Sequence, residues 1–236
     1  MTFDQSGFAI RCEWGARGLA ELVPTSDVIV IVDVLSFTTA VDVATARGAS
    51  VFPYPLKDDS AARYADSMHA ELASPDRTSG YSLSPQSLLS LPHGCRLVLP
   101  SPNGAALAYR ADHPVVFAAC LRNASTVARA AASLGERISV IPSGERWDTN
   151  ELRPCLEDWI GAGAVISDLP GTRSPEAELA ASAFAHFRDR LPDALRVTGS
   201  GRELIERGSE ADVEIAAAWN VSHSAPRLIS TAFTAL

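Results

Sequence analysis

Val28-Ile29-Val30-Ile31-Val32-Asp33-Val34-Leu35-Ser36-Phe37-Thr38-Thr39 is an apolar, β-branched run closed first by a carboxylate and then by hydroxyls. It lacks polar alternation, which predicts a strand buried on both faces, as in the interior of a parallel sheet. Asp33 falls where that strand leaves the sheet. In open α/β folds ligands bind in the crevice outside the carboxyl ends of the strands. Ser36, Thr38 or Thr39 would cap the helix that follows, whose free N–H groups suit an anion. A carboxylate beside such a helix start suggests a divalent metal and a phosphate. The plainer reading is that Asp33 caps the helix and does nothing more.

Working outward, one unit recurs four times: an apolar strand, a polar loop and an alanine-rich helix. The first covers the strand 28–34 and a helix ending near Gly48, a residue suited to the position after a helix. The second has strand 96–99, the loop Pro100-Ser101-Pro102-Asn103-Gly104 and helix 105–110. The third has strand 115–118, the loop Cys120-Leu121-Arg122-Asn123 and helix 124–134. The fourth has strand 138–141, the loop Pro142-Ser143-Gly144-Glu145-Arg146-Trp147 and a helix over about 154–166. A further strand, 50–54, lies between the first two units. This alternation calls for a mainly parallel sheet with helices on both faces, in one domain spanning 1–236. Parallel strands with right-handed crossovers put their carboxyl ends together. The loops carrying Asp33, Asn103, Asn123 and Glu145 are therefore expected to converge on one edge.

Residues 74–85, rich in Ser, Pro and Gly, read as a long loop, either a lid over that edge or a surface segment. Beyond Ser167 the chain reads as helical. Ser174-Pro175-Glu176 opens a helix whose apolar stripe is expected from Leu179, Ala183, Phe184 and Phe187. Shorter helices are expected over 201–206 and 210–219.

Composition narrows the function. With 236 residues, 47% hydrophobic, and a net charge of −8, the chain is ordinary globular material without the basic surface of a nucleic-acid or membrane binder. Its first residues lack a basic segment followed by an apolar run, and no uncharged apolar stretch approaches the roughly 18 residues of a spanning helix. The expectation is a soluble, cytoplasmic protein. Cys12, Cys95, Cys120 and Cys155 contain no CxxC pair and match neither a zinc site nor a disulfide framework. Cys120 stands out only because it ends an apolar strand beside a polar loop. The five histidines show no metal-ligand spacing. GxGxxG, GxxxxGK[ST] and GxSxG are all missing, which removes most of the weight from dinucleotide, P-loop and serine-hydrolase readings.

Several polar residues are candidates for chemistry. Asn103-Gly104 is a favoured turn pair, but the preceding proline and following helix also suit Gly104 to a close backbone approach to phosphate. Asn123 reads as a helix N-cap, and Arg122 beside it as a partner for an acidic substrate. Glu157-Asp158 lies in the first turns of a helix, where the dipole favours acids, yet the rest of that helix is apolar. Carboxylates from Asp33, Glu145 and Glu157 or Asp158 would suit Mg²⁺, which takes one or two carboxylates and keeps several waters. Acids distant in the chain but gathered at one edge are what metal-assisted phosphoryl transfer requires.

The order of motifs resembles the 2-phosphosulfolactate phosphatase family, the ComB-like phosphatases. The resemblance covers nearly the whole chain: Asp33-Val34-Leu35-Ser36-Phe37-Thr38-Thr39, Ala46-Arg47-Gly48-Ala49, Ser84-Pro85, Ser101-Pro102-Asn103-Gly104, Leu121-Arg122-Asn123-Ala124, Glu157-Asp158 with Gly161-Ala162-Gly163-Ala164, Ser200-Gly201-Arg202-Glu203-Leu204 and Asp212-Val213. It implies a three-layer α/β fold and a Mg²⁺-dependent hydrolase that converts 2-phosphosulfolactate to 3-sulfolactate and phosphate. Two positions depart from the pattern. Many members carry arginine after Asp-Val-Leu, where this chain has Ser36, and the asparagine usual before Ser-Pro is Leu83. Arg122, Arg146 or Arg202 could supply the cation missing at Ser36.

The reading is a Mg²⁺-dependent phosphatase acting on a small phosphorylated hydroxy acid. Asp33 with Glu157 or Asp158 would hold the metal, and Glu145 would be a metal ligand or proton-transfer carboxylate. Asn103, Gly104 and Asn123, with Ser36 and Thr38, would contact the phosphate, and Arg122 and Arg146 the second anionic group. The alternative is a non-catalytic sensor of a phosphorylated or sulfonated metabolite on the same fold. Neither nucleic acid nor membrane is an expected partner, and a homodimer is compatible with the chain.

Overall fold

The computed structural model describes residues 3–113 and 115–236. Its strands are β1 (Ile10–Cys12), β2 (Val28–Val32), β3 (Ser50–Tyr54), β4 (Glu71–Leu72), β5 (Arg96–Pro100), β6 (Val116–Ala119), β7 (Ile138–Pro142), β8 (Glu145–Arg146), β9 (Leu152–Arg153), β10 (Pro226–Ile229) and β11 (Ala232–Ala235). Its α-helices are α1 (Gly15–Leu22), α2 (Phe37–Ala46), α3 (Asp59–Met68), α4 (Pro85–Leu88), α5 (Gly104–Arg110), α6 (Ala124–Ala132), α7 (Leu156–Ser167), α8 (Pro175–Phe187), α9 (Leu191–Val197), α10 (Gly199–Glu206) and α11 (Glu210–Ala217).

β2 is the strand that the apolar run predicts, and all five of its residues are buried. Strand geometry sends alternate side chains to opposite faces. Val28, Val30 and Val32 join one core with residues of α6, α7 and α8. Ile29 and Ile31 join another with residues of α1, α2 and α5. The fold is thus a three-layer α/β arrangement.

Among the described residues the main sheet has nine strands in the order β1-β7-β2-β6-β10-β11-β3-β5-β4. The blocks β1-β7-β2-β6 and β3-β5-β4 are each parallel. They are joined by the antiparallel hairpin β10-β11, which pairs with β6 on one side and β3 on the other. The sequence reading put only helix beyond Ser167 and missed this hairpin. Its inner strands are short and only partly buried, so they carry no continuous apolar run.

The antiparallel joint has a geometric consequence. By ladder count β3 and β5 run opposite to β2, yet the residues that follow β2 and β5 touch: the Gly104 N–H donates to Asp33 Oδ2 at 2.8 Å. A right-handed twist accumulated over successive strands coils such a sheet. Here it coils around α2, which contacts β3, β6, β10 and β11 and is buried at every residue from Phe37 to Thr45.

Ser174 caps α8 by accepting from Ala177 N at 3.2 Å, as its sequence predicts. The apolar face of α8 differs from expectation. Leu179 is 61% exposed, and Ala177, Ala180, Ala181 and Phe184 are buried. The small residues face α7 because the two helices approach closely. A Cβ built on Gly163 would stand 1.9 Å from the carbonyl oxygen of Ala180. No helix among the described residues is long and apolar enough to cross a membrane.

This contact leads to a stability prediction. Gly163→Ala should lower the unfolding free energy by about 1–3 kcal/mol, the usual cost of overpacking a tight interface. Urea denaturation measures it, with an unchanged midpoint as the contrary result.

Candidate active site

Asp33 is 5% exposed and stands at the end of β2. Its Oδ1 accepts from Phe37 N at 3.1 Å, the first residue of α2, and its Oδ2 accepts from Gly104 N, the first residue of α5. One carboxylate therefore satisfies N–H groups at two helix starts. Gly104 is required for the second bond, since a Cβ there would lie 2.6 Å from Asp33 Oδ2. The Thr38 hydroxyl donates to Asp33 O at 2.7 Å and accepts from Asp33 N at 2.9 Å, which fixes the corner between strand and helix.

Among the described residues no cation forms an ion pair with Asp33. Burial and then the charge of Glu145 raise its pKa from 3.8 to about 7, against the two backbone hydrogen bonds, and Glu157 adds to the rise. Glu145 follows β7, and its Oε2 accepts from Asn103 Nδ2 at 2.8 Å. Burial pushes the Glu145 carboxyl up as well, offset partly by Asn103 and Arg153. Glu157 is 2% exposed, and its carboxylate makes no hydrogen bond or ion pair among the described residues. The three acids thus act on one another, and Arg153 and Lys57 act on them through space without an ion pair among the described residues.

Asp33, Ser36, Ser101, Asn103 and Glu145 line a cavity of about 210 Å³, together with Lys57, Arg77, Ser200 and Arg207. Lys57 and Arg207 are exposed at its rim. Desolvation, then the nearby Arg77, holds the Lys57 ammonium below its ordinary pKa. Arg77 comes from the long loop between β4 and α4. Its Nη2 donates to Ser36 Oγ at 3.0 Å, and its Nη1 pairs with Asp212 Oδ2 at 2.9 Å. A guanidinium does reach Ser36, from a loop that carried no signal for it except its length.

The structure brings Asp33, Asn103 and Glu145 together as the sequence reading expects, but the other candidates have different places. Gly104 spends its N–H on Asp33, leaving none for a phosphate. Thr38 is fully buried and serves the corner of β2 and α2. Glu157 does not line the cavity, and neither does Asp158. Its Oδ1 accepts from Val34 N at 2.7 Å and its Oδ2 from Gly144 N at 2.8 Å, so it clamps the ends of β2 and β7.

Asn123 accepts from Cys120 N at 2.9 Å and closes its own turn. Arg122 donates to the fully buried Asp42 at 2.8 Å and to the Ile215 carbonyl at 3.3 Å, away from this cavity. Arg146 is exposed and donates to Asn150, and it lines only the neighbouring cavity with Arg17 and Arg110. Arg202 is also exposed and does not line the site. The third loop turns away because Arg122 finds its counter-ion on α2. Cys120 is equally remote from chemistry, with burial pushing its thiol up to about 12.

Carboxylates and cations face one small polar cavity where β2, β5 and β7 end, the place of a ligand site in an α/β protein. The comparisons agree. The sequence profile of the 2-phosphosulpholactate phosphatase family matches residues 19–230. A probable 2-phosphosulfolactate phosphatase of Gloeobacter violaceus is 30% identical over 220 residues, covering 88% of this chain and 91% of that protein. A probable 2-phosphosulfolactate phosphatase of Thermosynechococcus vestitus is 27% identical over 234 residues, covering 87% and 93%. A 2-phosphosulfolactate phosphatase of Methanothermobacter thermautotrophicus is 28% identical over 130 residues, covering 55% and 54%. The chain belongs to the 2-phosphosulfolactate phosphatase family, whose members are phosphoric monoester hydrolases.

Two predictions arise from this geometry. The Asp33 carboxyl should titrate near pH 7 by ¹³C NMR, and Glu145→Gln should lower that value by removing the largest charge acting on it. Because the folded pKa lies above the unfolded one, ionising Asp33 costs stability as the pH rises from about 4 to 7. Glu145→Gln should lose less stability over that window. For Arg122→Ala the expectation is a loss of about 3–5 kcal/mol in unfolding free energy, from stranding the buried Asp42, with KM unchanged. A raised KM would return Arg122 to the site.

Proposed function

We propose that this chain hydrolyses the phosphomonoester of a small phosphorylated hydroxy acid with Mg²⁺ as cofactor, and that 2-phosphosulfolactate is the substrate. The observation that carries the reading is the group Asp33, Glu145 and Glu157, three buried or half-buried acids that no ion pair neutralises among the described residues, beside a cavity that Lys57, Arg77 and Arg207 also line. Repulsion of that kind is relieved by a divalent cation. Among the described residues no three acid, His or Cys side chains are arranged to cage a metal by themselves. Mg²⁺ takes one or two carboxylates and keeps several waters, so it does not need such a cage. Asp33 with Glu145 or Glu157 would hold it. When bound, the ion supplies charge neutralisation for the phosphoryl group.

The chain's own residues do the rest. With Asp33 and Glu157 on the metal, Glu145, whose carboxyl burial pushes up, is free to hold or release a proton, which suits general acid–base work. Asn103 fixes Glu145 through Nδ2. The Ser36, Ser101 and Ser200 hydroxyls and the Lys57 ammonium offer donors to an anion along the wall. The cavity is smaller than the roughly 300–1,000 Å³ of sites for drug-sized ligands, which favours a compact acid over a nucleotide. The names of the relatives add 2-phosphosulfolactate as the candidate. A sensor role has less to support it, since the empty place expected at Ser36 is filled by Arg77.

Phosphate release from 2-phosphosulfolactate, with and without chelation, tests this reading. Activity should vanish in excess chelator and return with Mg²⁺. Asp33→Ala combined with Glu157→Ala should reduce kcat by about 10²-fold or more. Turnover that survives exhaustive chelation would remove the metal from the account, and full activity in the double variant would remove the acids.

A further inference from the structure

We propose that Arg77 selects substrates carrying a second anionic group, and that Asp212 is a positioning residue that holds Arg77 on the cavity wall beside Ser36. The proposal rests on the phosphatase reading above and names the contact that would give it selectivity.

Arginine has five N–H donors in a fixed fork. Arg77 commits three: Nη1 to Asp212 Oδ2 at 2.9 Å and to Leu83 O at 3.3 Å, and Nη2 to Ser36 Oγ at 3.0 Å. Among the described residues Nε–H and one Nη2–H have no partner, on a side chain that lines the same cavity as Asp33 and Glu145. Two donors on one guanidinium match the oxygens of a sulfonate or carboxylate.

Asp212, on α11, is 1% exposed. Its Oδ2 takes Arg77, and its Oδ1 accepts from Ser84 Oγ at 2.5 Å and from Gln86 N at 3.0 Å. A single buried carboxylate thus ties down both the arginine and the point where the long loop enters α4. A guanidinium held this way has lost its rotamer freedom before any ligand arrives, which is the condition for strong binding by a long side chain.

A purely structural ion pair would show different features. The Arg122–Asp42 pair is of that kind, since Arg122 contacts buried protein groups and does not line this cavity. Arg77 instead faces the space that Lys57 also borders, and its charge acts on that ammonium. Lys57 feels the carboxylates of Glu145 and Asp33 as well as Arg77, so Arg77, anchored on Asp212, is the cation held apart from the acids. The phosphate, near the acids and any metal they hold, leaves this second cationic position for a sulfonate or carboxylate.

Steady-state phosphate release by the full chain, with Mg²⁺ present, tests the assignment on three monoesters. These are 2-phosphosulfolactate, 2-phospholactate, which lacks the sulfonate, and glycerol 2-phosphate, which has no second anion. Arg77→Ala should lower the kcat/KM ratio of 2-phosphosulfolactate to glycerol 2-phosphate by about tenfold or more, the effect expected from one charge-assisted contact. The change should lie mainly in KM, Arg77→Lys should restore part of it, and Asp212→Asn should reproduce it in weaker form.

A loss in Arg77→Ala shared by 2-phosphosulfolactate and 2-phospholactate, relative to glycerol 2-phosphate, assigns the contact to the carboxylate, and a loss confined to 2-phosphosulfolactate assigns it to the sulfonate. An unchanged ratio in Arg77→Ala, or equal losses on all three substrates, overturns the proposal. If Arg77→Ala does not fold, Arg77→Lys alone decides, because it keeps the charge and loses the fork. If the wild-type protein hydrolyses none of the three, the phosphatase reading fails. Calorimetric affinity for 3-sulfolactate then judges Arg77, with a loss of about tenfold in Arg77→Ala in its favour and no loss against it.

Discussion

The bonds from Phe37 N and Gly104 N to the Asp33 carboxylate are the constraint on which the site depends. They join the start of α2 to the start of α5, two helices that follow strands in different blocks of the sheet. The junction exists only because the sheet coils around α2 and brings the end of β5 back toward the end of β2. A buried carboxylate is costly unless it is hydrogen-bonded or paired. Here it is hydrogen-bonded to neutral N–H groups and left unpaired, with Glu145 and Glu157 nearby. The packing that fixes Asp33 in place also keeps its charge unsatisfied, which leaves it able to engage a cation or a proton.

Asp158 solves the same burial problem in the same way, by accepting from two backbone N–H groups, and has a different consequence. Its bonds to Val34 and Gly144 tie the end of β2 to the loop after β7, on the other side of Asp33 from α5. Held from both sides, the end of β2 has little room to shift. Adjacent acids on α7 therefore divide their roles: Asp158 spends both oxygens on the backbone, and the Glu157 carboxylate, one residue earlier, has no hydrogen-bond or ion-pair partner among the described residues.

The arginines show a similar division. Arg77 and Arg122 each pair with a fully or nearly fully buried aspartate, Asp212 on α11 and Asp42 on α2. They lie in loops that sequence inspection treats alike, both polar and both close to motifs of the family. Which one reaches the site is decided by where the counter-ion sits. Asp42 lies within α2 and draws Arg122 away from the cavity, whereas Asp212 faces the long loop and holds Arg77 against Ser36.

Much of the architecture was legible in the residues. The β-branched run 28–32 has to be buried on both faces, the following Asp33 has to mark its exit, and the strand-loop-helix order requires helices on both sides. Asp33, Asn103 and Glu145 could be placed at one edge because each ends a strand of recognisable pattern. Local pattern did not reach the hairpin β10-β11, whose short strands lack a continuous apolar signal, or the exposed Leu179 on α8. It also could not assign Asp158, Arg122 and Arg77, because the fate of a charged side chain depends on partners distant in the chain. Sequence alone determined which segments must be buried and where the acids leave the sheet, since burial and strand exit are local properties of apolar runs. Tertiary structure alone decided which charges meet, because the coiling of the sheet and the position of each buried counter-ion are set by contacts between residues far apart in sequence.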